Sequence, residues 1–375
     1  MRRLLLSGNE AVAEGALAAG CNFYAGYPIT PSSEIMHYMA RELPRRGGVF
    51  IQAEDELAAI NMVVGASLAG ALAMTATSGP GFSLMQEGLG YAVMVEAPLV
   101  VVDVMRVGPA TGQATKPAQG DVMQARWGRH GDQYLVVLAP SSPQEAFDLT
   151  YRAFAIAEEL RVPVVVLSDE FVGHGREVIE VPEDLPPVKR RRSEPSGPPF
   201  GSEDPRIAPP LPPLGLGHNL LITGSTHNEW GYRDVHSYET HYRLVTRLKQ
   251  KVWLNLDKLF SYEYLGDQDP ELLIVAYGSV ARSAREALRV LRGKGVATGL
   301  FIPKTLWPFD PRKLLEIAPR PRAVVVAELN LGQLLYDVER AYGVDGRVVH
   351  VGKVGGGIPI YPSEIVEKAL EVMRR

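Results

Sequence analysis

Between Leu99 and Met105 the chain reads Leu-Val-Val-Val-Asp-Val-Met. A β-branched run with no polar alternation suits a strand covered on both faces, and such strands belong to parallel sheets flanked by helices. Glu96, Pro98 and Asp103 interrupt the wider apolar stretch too early for it to span a bilayer. On either side the same cycle repeats. Short strands are expected at 21–26, 49–52, 71–75, 135–138 and 164–167. Helices are expected at 8–20, 32–43, 54–69, 82–95 and 143–160, the first capped by Ser7 or Asn9 and ended by Gly20. Thr77-Ser78-Gly79-Pro80-Gly81 reads as a tight turn between them. This alternation defines a doubly wound α/β domain.

Between Pro182 and Gly217 the texture changes. Pro186-Pro187, Pro195, Pro198-Pro199, Pro205, Pro209-Pro210 and Pro212-Pro213 exclude helix and central strand, so an extended connector lying on a neighbouring domain is expected. A helix follows at 237–259. A second α/β unit opens with Leu272-Leu273-Ile274-Val275-Ala276-Tyr277-Gly278-Ser279 and continues with a helix to Leu291. Strands at 297–302, 323–327 and 348–351 and a closing helix at 362–375 complete it. The expected domains are 1–185, the connector and helix 186–265, and 266–375.

A hydrophobic content of 46%, a charged content of 22% and a net charge of −4 fit a soluble globular protein and argue against a nucleic-acid binder. The run Lys189 to Arg192 is therefore read as a solvated linker charge run. Cys21 is the single cysteine, which excludes an intrachain disulfide and a cysteine-ligated zinc or iron–sulfur site made by this chain alone. It is expected to be a small buried apolar residue. Met1-Arg2-Arg3 leads into a short strand pattern rather than a secretory signal, so a cytoplasmic protein without a membrane span is expected.

Three places can carry chemistry. In Tyr27-Pro28-Ile29-Thr30-Pro31, the two prolines push Tyr27 and Thr30 out of the helical region, and Thr30 is expected at a helix N-cap where an anion or polar edge can sit. An ordinary capped helix satisfies the same residues. In Gln52-Ala53-Glu54-Asp55-Glu56 the helix dipole accounts for two of the carboxylates. Glu56 precedes an apolar helix, and packing into it would raise its pKa and suit proton exchange with a ring nitrogen. Arg106 ends the buried strand, where parallel sheets place ligands, and a guanidinium there can hold a carboxylate bidentately or simply be solvated. The polar loop from Val107 to Asp121 follows it. No Walker loop is present, Gly355-Gly356-Gly357 comes too late for a dinucleotide fingerprint, and no Gly-Asp-Gly with a downstream Asn marks a diphosphate–metal site.

These motifs together resemble the α subunits of 2-oxoacid:ferredoxin oxidoreductases acting on 2-oxoglutarate or branched-chain 2-oxoacids. The resemblance runs from Gly8-Asn9-Glu10-Ala11 through Tyr27 to Pro31, Thr77 to Gly81, Gln119-Gly120-Asp121 and His130-Gly131-Asp132. It resumes at Thr223-Gly224 with His227-Asn228-Glu229, and in the C-terminal unit. It implies a pyrimidine-binding thiamine-type domain followed by a transketolase C-terminal-like domain. It also implies half of an active site shared with a β subunit, which carries the diphosphate of thiamine diphosphate, its Mg2+ and an iron–sulfur cluster. A γ chain or domain commonly completes the complex, and this chain begins directly at the pyrimidine domain.

By the same resemblance, Glu56 is the glutamate on the aminopyrimidine ring. It is preferred to Glu54 because Glu56-x-x-Ala59 and Gly65-Ala66 keep the family's spacing. Tyr27, Pro28, Ile29, Thr30, Ser78 and Gly79 are expected beside it around the cofactor. Thr30 and Arg106 match the holders of the substrate carboxylate and oxo group. The implied reaction is oxidative decarboxylation of a 2-oxoacid, with coenzyme A taking the acyl group and ferredoxin the electrons. A 2-oxoglutarate site needs a second cation, for which Lys116, Arg126 and Arg129 are local candidates, with Lys116 preferred; each could equally be a surface or interface charge. Other readings are a branched-chain 2-oxoacid enzyme, a thiamine-dependent dehydrogenase component using lipoamide, and a partner without catalysis.

Overall fold

The computed structural model describes residues 1–190, 197–344 and 346–374. Its first sheet carries strands in the spatial order Thr305–Trp307, Val136–Leu138, Pro163–Asp169, Leu99–Val107, Ala73–Thr77, Phe23–Gly26 and Val49–Gln52. All neighbours are parallel except Thr305–Trp307. Every residue of Leu99–Val107 is buried, Asp103 and Arg106 included, as suits a strand covered on both faces. The second sheet orders Tyr262–Gly266, Thr298–Pro303, Leu272–Ala276, Ala323–Glu328 and Val348–Gly352, with only the first strand antiparallel. Among the described residues no helix is long and apolar enough to cross a membrane.

The helices follow the sequence pattern with local shifts. Ser7, not Asn9, caps helix Gly8–Ala19, exchanging hydrogen bonds with Glu10, and Gly20 closes it in the left-handed region. The expected tight turn at 77–81 is the start of a short helix, Gly79–Leu84, which a second helix, Gln86–Met94, follows. The short strand expected after Met1 is Arg2–Ser7, whereas some other elements carry no periodic signal. Arg2–Ser7 pairs antiparallel with Arg176–Val181, and Gln113–Pro117 folds back on Leu99–Val107 as a hairpin. Thr305–Trp307 leaves the C-terminal unit to extend the first sheet beside Val136–Leu138. Three residues are too few for alternation to register, and pairing alone makes them a strand.

The proline-rich connector lies along the first domain. Val188 N–H donates to Ala19 O (2.9 Å), Leu214 N–H to Leu68 O (3.0 Å) and Arg161 to Pro209 O (3.0 Å). The connector's own Phe200, Ala208 and Leu211 are buried. In the basic run, Lys189 is exposed and Arg190 donates to Ala71 O (3.0 Å). Arg191, Arg192 and Pro195 lie outside the described residues. Helix Tyr238–Trp253 is clamped to the first domain by charge: Glu96, fully buried, meets Arg247, Lys251 (2.6 Å) and Arg161 (4.0 Å).

The two α/β units are fastened by buried polar contacts. The Gln119 side chain donates to Asp169 (2.9 Å) and Tyr277 O (3.1 Å), and its amide oxygen accepts from Leu329 N–H (2.9 Å). Arg126 grips the Asp337 carboxylate with both Nη atoms and lies over the Trp307 ring. The Gln119-Gly120-Asp121 motif thus runs along the inter-unit seam.

Candidate active site

The carboxyl ends of four adjacent parallel strands converge at one edge of the first sheet, where α/β folds bind ligands. Phe23–Gly26 leads into Tyr27 to Pro31, Val49–Gln52 into Glu54 to Glu56, Ala73–Thr77 into Ser78-Gly79, and Leu99–Val107 carries Arg106. Four stretches far apart in sequence therefore meet because their strands are parallel neighbours.

The Tyr27–Thr30 segment differs from its expected geometry. Thr30 does not cap the helix. Ser32 donates through both N–H and Oγ to Ile29 O (2.9 Å each), closing a turn that delays the helix to Ser33–Glu42. Thr30 is left exposed ahead of the helix, with its carbonyl held by Arg106. Asn9, a candidate cap in the sequence, is fully buried instead and donates to Pro31 O (2.8 Å) and Glu34 (2.9 Å). It pins the turn from below, a task that helix patterning cannot signal.

Glu56 is the first residue of helix Glu56–Leu68, whose cap is Asp55 accepting from Ala58 N–H (2.7 Å). Its side chain is buried, and burial pushes its carboxyl up; Asp55 adds to the rise, while its own backbone N–H and Arg106 oppose it. Glu54 is exposed. Gly81 lies against the Glu56 carboxylate and the Thr77 hydroxyl so closely that a Cβ there would overlap both. The Ser78-Gly79-Pro80-Gly81 sequence is thus fitted to Glu56 through its last glycine.

Arg106 is buried, and donates from Nη1 to Thr30 O (2.9 Å) and from Nη2 to Thr111 O (3.1 Å). Two of its five N–H groups are thereby engaged. Nε is buried and has no protein partner. Ser78 Oγ, the Asp103 carboxyl and Asp121 Oδ2 are likewise buried without a protein donor or acceptor.

Of the three candidates for a second cation, two are engaged in structure. Arg126 pairs with Asp337. Arg129 donates to Gln133 (2.9 Å), Gln86 (2.7 Å), Ala125 O (2.8 Å) and Arg126 O (2.9 Å). Lys116 is exposed on the hairpin, beside Pro117, which stands opposite Arg106. Its stem lies against Gly357, and neighbouring Gln113 accepts from Gly356 N–H (2.7 Å). Gly355, Gly356 and Gly357 all have positive φ (86°, 68° and 70°), a conformation that favours glycine. The triple glycine receives this hairpin. Among the described residues no cluster of three or more His, Cys, Asp or Glu could hold a metal ion. Cys21 is buried, and burial pushes its thiol up to about 12.

A thiamine-type domain followed by a transketolase-like one is the class that this architecture defines, and a split-gene transketolase matches it in fold at TM-score 0.55 and 17% identity. The family model for the thiamine-diphosphate-binding domain of pyruvate flavodoxin/ferredoxin oxidoreductases matches residues 14–247, and that for pyruvate:ferredoxin oxidoreductase core domain II matches residues 270–365. The chain belongs to the 2-oxoacid:ferredoxin oxidoreductase family, as an α subunit. It is 47% identical to the 2-oxoglutarate synthase subunit KorA of Methanothermobacter marburgensis, over 97% of this chain and 98% of that one. It is 38% identical to the ketoisovalerate oxidoreductase subunit VorB of Methanothermobacter thermautotrophicus, over 99% and 98%. Among solved structures it is similar to the 2-oxoglutarate:ferredoxin oxidoreductase of Magnetococcus marinus, which has 2-oxoglutarate, coenzyme A and succinyl-CoA bound. That likeness has TM-score 0.92 and 34% identity, and it covers 99% of this chain and 65% of that chain.

Proposed function

We propose that this chain supplies the pyrimidine side of the active site of a 2-oxoglutarate:ferredoxin oxidoreductase that releases CO2 and forms an acyl-CoA. The observation that carries this reading is the meeting of Glu56, Thr30 and Arg106 at adjacent parallel strand ends. The site fits an aminopyrimidine ring: a buried carboxyl with raised pKa, a glycine cleared to admit it, and an unpartnered Ser78 Oγ nearby. Bound thiamine diphosphate supplies the electron sink for decarboxylation. Glu56 exchanges a proton with the ring. Arg106 holds the substrate carboxylate while fixing Thr30, whose exposed hydroxyl takes the oxo group.

The diphosphate, Mg2+ and an iron–sulfur cluster are assigned to a β subunit, with a γ subunit completing the path to ferredoxin. Apolar surface beside the site supports a partner there: Tyr27, Leu57, Met62 and Leu84 are 39%, 51%, 37% and 47% exposed. The branched-chain reading draws on the ketoisovalerate relative. Lys116 supports the 2-oxoglutarate reading, since its ammonium has no hydrogen-bond or ion-pair partner among the described residues and is available to a second carboxylate. We assign it to the distal carboxylate of 2-oxoglutarate.

The test is a panel of 2-oxoacids assayed with the copurified complex and coenzyme A. Arg106→Lys keeps the charge but loses the planar fork, and lowers kcat/KM for all 2-oxoacids by a similar factor, on the order of 10–10²-fold. A loss confined to one substrate would overturn the assignment of Arg106 to the shared carboxylate. Lys116→Met penalises 2-oxoglutarate and leaves 2-oxobutyrate nearly unchanged. An equal loss on both substrates would make Lys116 a structural part of the hairpin.

A further inference from the structure

Asp103 and Asp121 are not accounted for by the proposed chemistry. Asp103 is fully buried three residues before Arg106, in register with Thr77 on one neighbouring strand and Leu167 on the other. Asp121 stands at the start of helix Val122–Trp127 but caps nothing with its side chain. Asp121 Oδ2 lies against Gly79, whose N–H faces Asp103, so the two carboxyl groups meet at the start of helix Gly79–Leu84. Both oxygens of Asp103 and Oδ2 of Asp121 lack a protein hydrogen-bond donor.

The surrounding elements offer little to neutralise two charges. The Gly79 N–H faces Asp103 from the start of helix Gly79–Leu84, and Arg106 is the cation on the same strand. Arg106 is already committed to Thr30 O and Thr111 O. Glu56 lies beyond Thr77 and adds a further carboxyl rather than a cation. On strand Pro163–Asp169, Asp169 is held by Gln119 and the Ser279 N–H (2.8 Å). Two buried carboxylates that act on each other do not both ionise readily. Burial pushes both carboxyls up, and the neighbouring Asp121 charge adds to the rise of Asp103.

We propose that Asp103 and Asp121 share one proton as an acid pair that positions Arg106, and that losing this proton weakens 2-oxoacid capture at alkaline pH. Asp121 directly follows the seam, where Gln119 N–H donates to Leu329 O (2.9 Å) and Gln333 to Gly120 O (2.5 Å). The shared proton therefore fastens the end of the Val107–Asp121 loop to the strand carrying Arg106. When the proton leaves, the second carboxylate adds a negative charge that acts on Arg106 and competes with the substrate for it. The effect appears in KM more than in kcat, because a bound substrate already occupies the guanidinium. Asp103 and Asp121 are thus positioning residues. The inference rests on the reading of Arg106 as the carboxylate holder.

Two measurements test it separately from that reading. Infrared difference spectra of the full chain at neutral pH compare the wild type with Asp103→Asn. A carboxylic-acid carbonyl band present in the wild type and missing from the variant is expected. An unchanged band overturns the pair, whatever Arg106 does. In the assembled complex, KM for the 2-oxoacid should rise at alkaline pH by about tenfold per unit in the wild type. That rise should vanish in Asp103→Asn, and Asp121→Asn should recover part of what Asp121→Ala loses. A rise that persists unchanged in Asp103→Asn overturns the positioning role. If the band behaves as expected but Arg106→Lys leaves kcat/KM untouched, the acid pair stands, whereas the Arg106 reading and its positioning by the pair both fall.

Discussion

Glu56→Gln in the assembled complex lowers kcat by about 10²-fold or more and changes KM for the 2-oxoacid little. The amide keeps the size of the side chain and its place against Gly81 but has no proton to exchange. Unfolding does not explain such a loss, as the sign of the linkage shows. Burial raises the Glu56 carboxyl in the folded chain, so its stabilising contribution is complete at pH values below the ordinary carboxylate pKa. That contribution is lost as pH rises through the raised folded value. The glutamine variant escapes this loss and should melt no lower than the wild type at neutral pH. Glu54→Gln, at an exposed position, should be mild. Equal losses in the two variants, or a greater one at Glu54, would show that the wrong carboxylate has been chosen.

Glu96→Gln destabilises the chain by about 3–5 kcal/mol, because it strips the counter-charge from buried cations. Burial alone would push the Glu96 carboxyl up, but Arg247, Lys251 and Arg161 outweigh it and hold it well below the usual range. The stabilisation is therefore present above the ordinary carboxylate pKa and lost as pH falls through the depressed folded value. Lys251, whose ammonium burial pushes down to about 8, can shed its proton in the variant, so the loss should shrink at alkaline pH. Denaturant midpoints across pH measure this, and hydrogen exchange should place the weakening in helix Tyr238–Trp253. A midpoint equal to the wild type at neutral pH would mean that the cluster is solvated rather than buried.

The residues of the candidate site stand out in the sequence wherever local chemistry leaves a local mark. Glu56 was singled out because a carboxylate opening an apolar helix is anomalous, and Arg106 because it ends an apolar run. Tyr27 to Pro31 was marked by its prolines, although the turn through Ile29 and Ser32 moved the helix start past Thr30. Asn9 and the Asp103–Asp121 pair were not legible. An asparagine near a helix start reads as a cap, and an aspartate inside a valine run reads as an interruption. Their roles depend on groups 22 and 18 residues away across the fold.

The sequence by itself determined the α/β class, the two units, the family and the residues at the strand ends. Periodicity, turn residues and compact motifs record short-range constraints. Only the tertiary structure decided that Thr305–Trp307 completes the first sheet, that the triple glycine receives the Gln113–Pro117 hairpin, and that Arg126 and Arg129 are engaged in buried contacts. A charge carries no sign in the sequence of whether it will meet a buried partner or open solvent. That depends on which surfaces the two units bring together, and burial then sets the balance of desolvation against pairing.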